Sequence, residues 1–119
     1  MLFALTVVAA GCALHVKDAA DRALLNELGE CLTELRQISV DAEPIASRCS
    51  GRDGVAALAG LSKTEFRRAM GPPRWEGRDE WHYSFSRFPT DDMWVGGGTV
   101  LVLQFNDDRC ENAEWVYER

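Results

Sequence analysis

Leu61-Ser62-Lys63-Thr64-Glu65-Phe66-Arg67-Arg68-Ala69-Met70-Gly71-Pro72-Pro73 is the stretch on which the fold turns. Ser62 precedes Glu65 in the S-x-x-E pattern of a capping box, in which the hydroxyl takes a free first-turn amide and the carboxylate reaches back to the cap. Leu61 and Phe66 stand where a hydrophobic staple would close over that cap. Phe66, Ala69 and Met70 fall on one helical face and Lys63, Arg67 and Arg68 elsewhere; Gly71, Pro72 and Pro73 forbid continuation. A helix of about two turns is too short to persist alone, because nucleation is costly. It needs a sheet, and one is written just downstream: Trp81, Tyr83 and Phe85 alternate with His82, Ser84 and Ser86, the period of a strand with one buried face.

Working outward, the first strand is expected from about Glu80 to Phe88, ended by Pro89, after an exposed connection Pro72–Asp79 that holds Trp75. Residues 90–98, Thr-Asp-Asp-Met-Trp-Val-Gly-Gly-Gly, are long for a hairpin loop and carry large apolar side chains beside a glycine run. Thr99–Phe105 is the clearest strand, with Leu101, Leu103 and Phe105 on one face and Val100, Val102 and Gln104 on the other. Asn106-Asp107-Asp108-Arg109 makes a polar turn, and Glu111–Tyr117 is the last strand, with Ala113, Trp115 and Tyr117 on one face.

Upstream, Asp18 to about Ile38 predicts a helix. Leu24, Leu28, Cys31, Leu35 and Ile38 share a stripe that Ala20 extends. Asp18 and Arg22 form an acid-before-base pair, and Gly29 costs roughly 1 kcal/mol against alanine. A coiled-coil seam would want the same stripe, but with about three heptads and one domain to cover, packing on the chain's own core is the expectation. Ser39–Asp53 reads as a loop, and Gly54–Gly60 as at most one further helical turn.

These elements predict an α+β two-layer fold in which N-terminal helices pack on a three-stranded antiparallel meander. With 119 residues there is room for one domain. The formal charge of -6 argues against nucleic acid and against a polybasic attraction to anionic lipid. Residues 1–12 are uncharged and too short to span a bilayer, and they read as an export signal. Ala9-Ala10-Gly11-Cys12 resembles the lipobox of bacterial lipoproteins. That organisation is a signal peptide over 1–11, a lipidated Cys12, a tether over 12–17 and a domain over 18–119.

Gly60-Leu61-Ser62-x-x-Glu65-Phe66-x-x-x-Met70-Gly71-x-Pro73, then Trp81-x-Tyr83, then the Leu101, Leu103, Phe105 strand with its polar turn and final strand, resembles the SmpA/OmlA (BamE-like) lipoprotein domain over residues 60–117. Similar folds occur in the β-lactamase inhibitory proteins. The resemblance implies a non-catalytic lipoprotein on the periplasmic face of the outer membrane, acting as an accessory in envelope assembly, with barrel-assembly components among its candidate partners. The long helix upstream of the motif, with Cys31 and Cys49, departs from the family pattern.

The chain has four cysteines. With Cys12 lipidated, an oxidising compartment leaves one pair and one thiol. Cys31 with Cys49 is the preferred pair, since the intervening loop can return Cys49 to the helix, and closing it contributes roughly 3 kcal/mol; Cys49 with Cys110 is the alternative. No C-x-x-C spacing suggests redox chemistry. His15 and His82 lie far from each other, the two short ligand clusters that a zinc site needs are not visible, and both histidines read as surface residues. No Ser, His and Asp arrangement and no phosphate-cradling loop is visible, and Asp91, Asp92, Asp107 and Asp108 sit in turns that favour Asp for backbone reasons. Neither an enzyme nor a cofactor is expected. The binding candidates are Arg87, Phe88, Pro89, Asp92, Met93 and Trp94, on and beside the first hairpin loop, where large apolar groups want a cover. A second functional reading makes the chain an inhibitor of a periplasmic or secreted enzyme, with Asp92 and Trp94 entering the cleft.

Overall fold

The computed structural model describes residues 21–38, 45–87 and 98–118. Helix α1 covers residues 21–37. It is followed by β1 (Ile45–Ala46), a 3-10 turn (Val55–Leu58), α2 (Lys63–Met70), β2 (Trp75–Glu76), β3 (Glu80–Ser84), β4 (Ser86–Arg87), β5 (Gly98–Asn106) and β6 (Arg109–Glu118). Strands β2, β3, β5 and β6 form a four-stranded antiparallel sheet in that order, and β1 pairs with β4 separately. The architecture is α+β.

The capping box forms as the S-x-x-E spacing predicts. Glu65 N–H donates to the Ser62 hydroxyl at 3.2 Å, and Ser62 N–H donates to the Glu65 carboxylate at 2.8 Å. A further first-turn amide, that of Lys63, donates to the Asp108 carbonyl, so the turn between β5 and β6 satisfies an orphan donor that the helix itself cannot. Bonds between Gly60 and Cys110 and between Cys110 and Leu61 continue the stitch. At the other end Gly71, at φ 78°, donates back to the Arg67 carbonyl, a conformation that a side chain would strain.

Glu65 also meets Arg22 of α1 at 2.6 Å. Arg22 therefore serves the interface between helices; Asp18, its sequence-predicted partner, lies outside the described residues. The hydrogen bond from the Ser62 backbone, with the Arg22 charge, holds the Glu65 carboxyl below the usual glutamate range. A depressed carboxyl stabilises the fold above the unfolded pKa, and that contribution disappears as pH falls through the folded value. Urea unfolding of Glu65→Gln, followed from neutral pH to below about pH 4, is expected to show a shallower acid-side loss than the parent chain. Parallel slopes would contradict it. Ser62→Ala, which removes the cap acceptor, is expected to cost about 1 kcal/mol at neutral pH.

The core lies between the helices and one sheet face. Register sets Trp81 opposite Leu103 and Leu103 opposite Ala113, and Tyr83 opposite Leu101 and Leu101 opposite Trp115. Phe66, fully buried, brings α2 down on this face and meets Phe105 edge-on at 5.8 Å; Trp81 approaches Phe105 from another side at 5.0 Å. The Tyr83 hydroxyl crosses the core to donate to the Gly71 carbonyl at 2.8 Å, so the polar end of a buried ring ties the helix terminus to the sheet.

Four features depart from the sequence reading. The segment Pro72–Asp79 contributes an edge strand, so the sheet has four strands where three were expected. The strand expected through Phe88 breaks at Phe85 and resumes as β4 against β1. The Ser84 hydroxyl donates to the Ser86 carbonyl there at 3.0 Å, a local bond that competes with the ladder. In α1 the buried stripe runs Leu25, Leu28, Cys31, Leu32 and Leu35, while Leu24 is half-buried and Ile38 is 40 % exposed. Both stripes obey the three-four spacing and share Leu28, Cys31 and Leu35, so periodicity alone could not choose between them. Tyr117, expected on one face of β6 with Ala113 and Trp115, is 70 % exposed while Ala113 is buried.

Of the cysteine pairings open in the sequence, the structure brings together Cys31 and Cys49, at disulfide distance with Cα atoms 6.2 Å apart. Arg48 and Arg52, on either side of Cys49, both pair with Glu27 of α1, and Arg48 also reaches Glu34. Cys110 is a buried thiol whose pKa burial pushes up to about 11. The thiol is therefore overwhelmingly protonated at neutral pH, and the thiolate is the reactive form. Alkylation followed by peptide mapping is expected to leave Cys110 unmodified in the folded chain and to modify it in denaturant, with Cys31 and Cys49 labelled only after reduction. Rapid native-state labelling of Cys110 would contradict this placement.

Candidate functional site: a cationic groove beside helix α2

Lys63, Thr64, Arg67 and Arg68 recur at positions one and four apart on α2, the spacing that brings side chains together on a helix surface. Thr64, Arg67 and Arg68 occupy the face that burial of Phe66 and Met70 leaves outward, and Lys63, half-buried, stands at its edge. The hairpin of β2 and β3 rises opposite them, and between the two lies a groove of about 580 Å³ lined by these four residues together with Glu76, Gly77, Arg78 and Trp81. Its lining holds four cations against a single carboxylate, in a chain whose formal charge is -6.

Trp81 forms the floor. The Arg67 guanidinium stands 4.8 Å from its ring centroid, and the Lys63 ammonium lies 5.2 Å from Phe105 and 6.0 Å from Trp81. All three contacts fall in the cation–π range and lay these side chains along the sheet. Lys63 spends one of its three donors on the Arg78 carbonyl, at 2.8 Å. Arg67 pairs with Glu76 across the groove. Arg68 and Arg78 make no ion pair among the described residues. Their guanidiniums supply donors in a planar fork suited to carboxylate or phosphate.

The hairpin wall owes its shape to Gly77. A Cβ there would stand 2.5 Å from the Trp75 ring, so only glycine lets the indole lie over the turn. Trp75 is 51 % exposed and stacks on His82 at 4.9 Å between centroids. His82, read from sequence as a surface residue, is half-buried and contacts Glu80 at 2.7 Å. That hydrogen bond, ahead of one with Gln104, holds the Glu80 carboxyl below its usual range.

The residues singled out in the sequence are not gathered at this groove. Phe88, Pro89, Asp92, Met93 and Trp94 lie outside the described residues, as does Cys12; Arg87 ends β4, away from α2 in the chain. Asp107 and Asp108 form the tight turn between β5 and β6, with Asp107 at φ 55°. Among the described residues no group of three or more His, Cys, Asp or Glu is placed to hold a metal ion, and no helix is long and apolar enough to cross a membrane. Lys63, Arg67 and Arg68 were legible as the outward face of the helix; Arg78 was not, because its place opposite them depends on the extra strand β2.

A second recess of about 310 Å³ opens where α1 meets β3, lined in part by Leu35, Tyr83 and Ser84. Its polar tip is already committed, since the Tyr83 hydroxyl donates to Gly71. Burial raises the Tyr83 pKa well above the usual phenol range, so no phenolate is available near neutrality. Compared with protein families, curated proteins and solved structures, the chain matches none.

Proposed function

We propose that this chain is a non-catalytic binding module that docks an envelope protein partner, held on the periplasmic face of the outer membrane by a lipid on Cys12. The observation that carries the binding reading is the groove beside α2. It presents cations to solvent over a buried aromatic floor, and Arg68 and Arg78 are uncommitted to any ion pair among the described residues. A surface of exposed donors suits recognition of a charged partner.

The placement in the envelope rests on other supports. The capping-box helix seated on an antiparallel sheet is compatible with the resemblance to the SmpA/OmlA (BamE-like) domain. A cysteine pair at disulfide distance suits an oxidising compartment. The apolar start ending in Ala9-Ala10-Gly11-Cys12 supplies the lipid attachment. Barrel-assembly components are the candidate partners.

Crosslinking in intact cells from a photoreactive residue at Thr64, followed by recovery of the chain from the envelope, tests this reading. Capture of barrel-assembly components is the expected result. Capture of a periplasmic hydrolase in a catalytically silent complex would support the inhibitor reading. If the chain crosslinks to no envelope protein, the binding module is refuted. Labelling with a radioactive fatty acid is expected to mark the parent chain and not Cys12→Ala; an unlabelled parent removes the tether.

A further inference from the structure

The binding-module reading leaves the partner's chemistry open, and the groove constrains it. We infer that the groove between α2 and the β2–β3 hairpin takes an extended acidic segment of a partner protein, with carboxylates on Arg68 and Arg78 and the strand lying along the stems of Lys63 and Arg67. The inference rests on that reading and adds the class of ligand to it.

The distribution of charge is the first argument. Arg68 stands on the helix wall and Arg78 on the hairpin wall, while Arg67 and Glu76 bridge the space between them. A single phosphate wants donors converging on one point. Cations on opposed walls instead fit neighbouring carboxylates along an extended chain, since successive side chains of a strand point to opposite faces. Glu76 is satisfied by Arg67, so the lining retains a surplus of positive charge.

Main-chain geometry is the second. Strand β2 is the outer strand of the sheet. Gly77 N–H bonds the Glu80 carbonyl, and Trp75 is in register with His82. By the alternation of antiparallel ladders, the N–H and C=O of the intervening Glu76 point away from β3. A segment that runs out of the groove over the rim at Glu76 can take this pair as a strand added to an edge does. Net charge is the third: the chain's charge of -6 opposes adsorption to anionic lipid.

The test uses the full chain and a short acetylated peptide of glutamate pairs separated by tyrosine, labelled for fluorescence anisotropy. The glutamine counterpart of that peptide, inorganic phosphate, and vesicles of phosphatidylcholine mixed with phosphatidylserine complete the set. The glutamate peptide is expected to bind at least tenfold more tightly than the glutamine one and to weaken as salt rises. Arg68→Glu with Arg78→Glu is expected to lower its affinity tenfold or more at an unchanged melting temperature. Both side chains are exposed; should that pair fail to fold, Arg68→Gln with Arg78→Gln is expected to weaken binding in the same direction.

Equal affinity for the glutamine peptide, or affinity indifferent to both substitutions, overturns the inference. Vesicle binding that the substitutions abolish, without peptide binding, assigns the groove to lipid and overturns it too, as does competition by phosphate at concentrations near those of the peptide. If the crosslinked envelope partner is still captured by the charge-reversed chain, the binding module stands and the groove assignment falls. If the peptide behaves as expected but no envelope partner is found, the groove assignment stands and the envelope role falls.

Discussion

Gly29→Ala is expected to destabilise the domain by about 3 kcal/mol, the upper part of the range for forcing atoms into a packed interior. Helix propensity alone says the opposite, because alanine is preferred to glycine by roughly 1 kcal/mol in a helix interior. The close approach of α1 to α2 decides the sign. A Cβ built on Gly29 would stand 2.0 Å from the Ala69 carbonyl oxygen and 2.9 Å from its carbon. Both are backbone atoms near the end of α2, where Gly71 bonds Arg67 and Tyr83 bonds Gly71. A side chain in the way could rotate aside, but this carbonyl can retreat only if the end of α2 moves with it. Chemical denaturation of the purified variant, with a parallel Gly29→Ser chain, measures the effect. Unchanged or higher stability in both would show that the helices are not so closely apposed.

The same glycine marks the limit of what could be read in one dimension. The capping box, the stop at Gly71 and the alternation of β5 were legible because each is local: the residues that make the bond or share the face lie within a few positions of one another. The α+β class followed from them. The rotation of α1 was not legible, since Leu24 and Leu25 are equally good members of a helical stripe and only the position of the partner surface selects the second. Strand β2 was missed because two residues after a Pro-Pro pair have no period to detect; it exists through pairing with β3. The groove depends on that strand, so its helix wall of Lys63, Arg67 and Arg68 could be read while its hairpin wall at Arg78 could not.

Long-range placement also decides the meaning of outer-face residues. Val100 and Val102 were assigned correctly to the face opposite Leu101 and Leu103, yet they are 2 % and 7 % exposed and stand apart from the main core. An antiparallel sheet commonly leaves such a face to solvent. The alternation specifies the side on which a residue lies, but burial on that side depends on the tertiary fold.

Phe66→Ala carries the largest expected effect, a loss of about 4 kcal/mol, in the range measured when a buried phenylalanine is truncated. Phe66 has no exposed surface, meets Phe105 edge-on, and sits in the same cluster as Met70 and Leu61. Its removal leaves a cavity directly beneath α2, and an eight-residue helix has no reserve of its own to resist it. The cost should therefore extend to the groove: without the Phe66 contact, Lys63 and Arg67 lose the base that holds them over Phe105 and Trp81. Phe66→Leu, which keeps much of the volume, is expected to lose less than half as much. Urea titrations of the three chains, read by Trp fluorescence and by far-ultraviolet circular dichroism, separate two outcomes. If α2 is held by the sheet, the variant unfolds in one transition at lower urea. If the helix were held mainly by its caps and by Arg22, Phe66→Ala would shift the midpoint little, and the packing of α2 on Phe105 could not be what secures it.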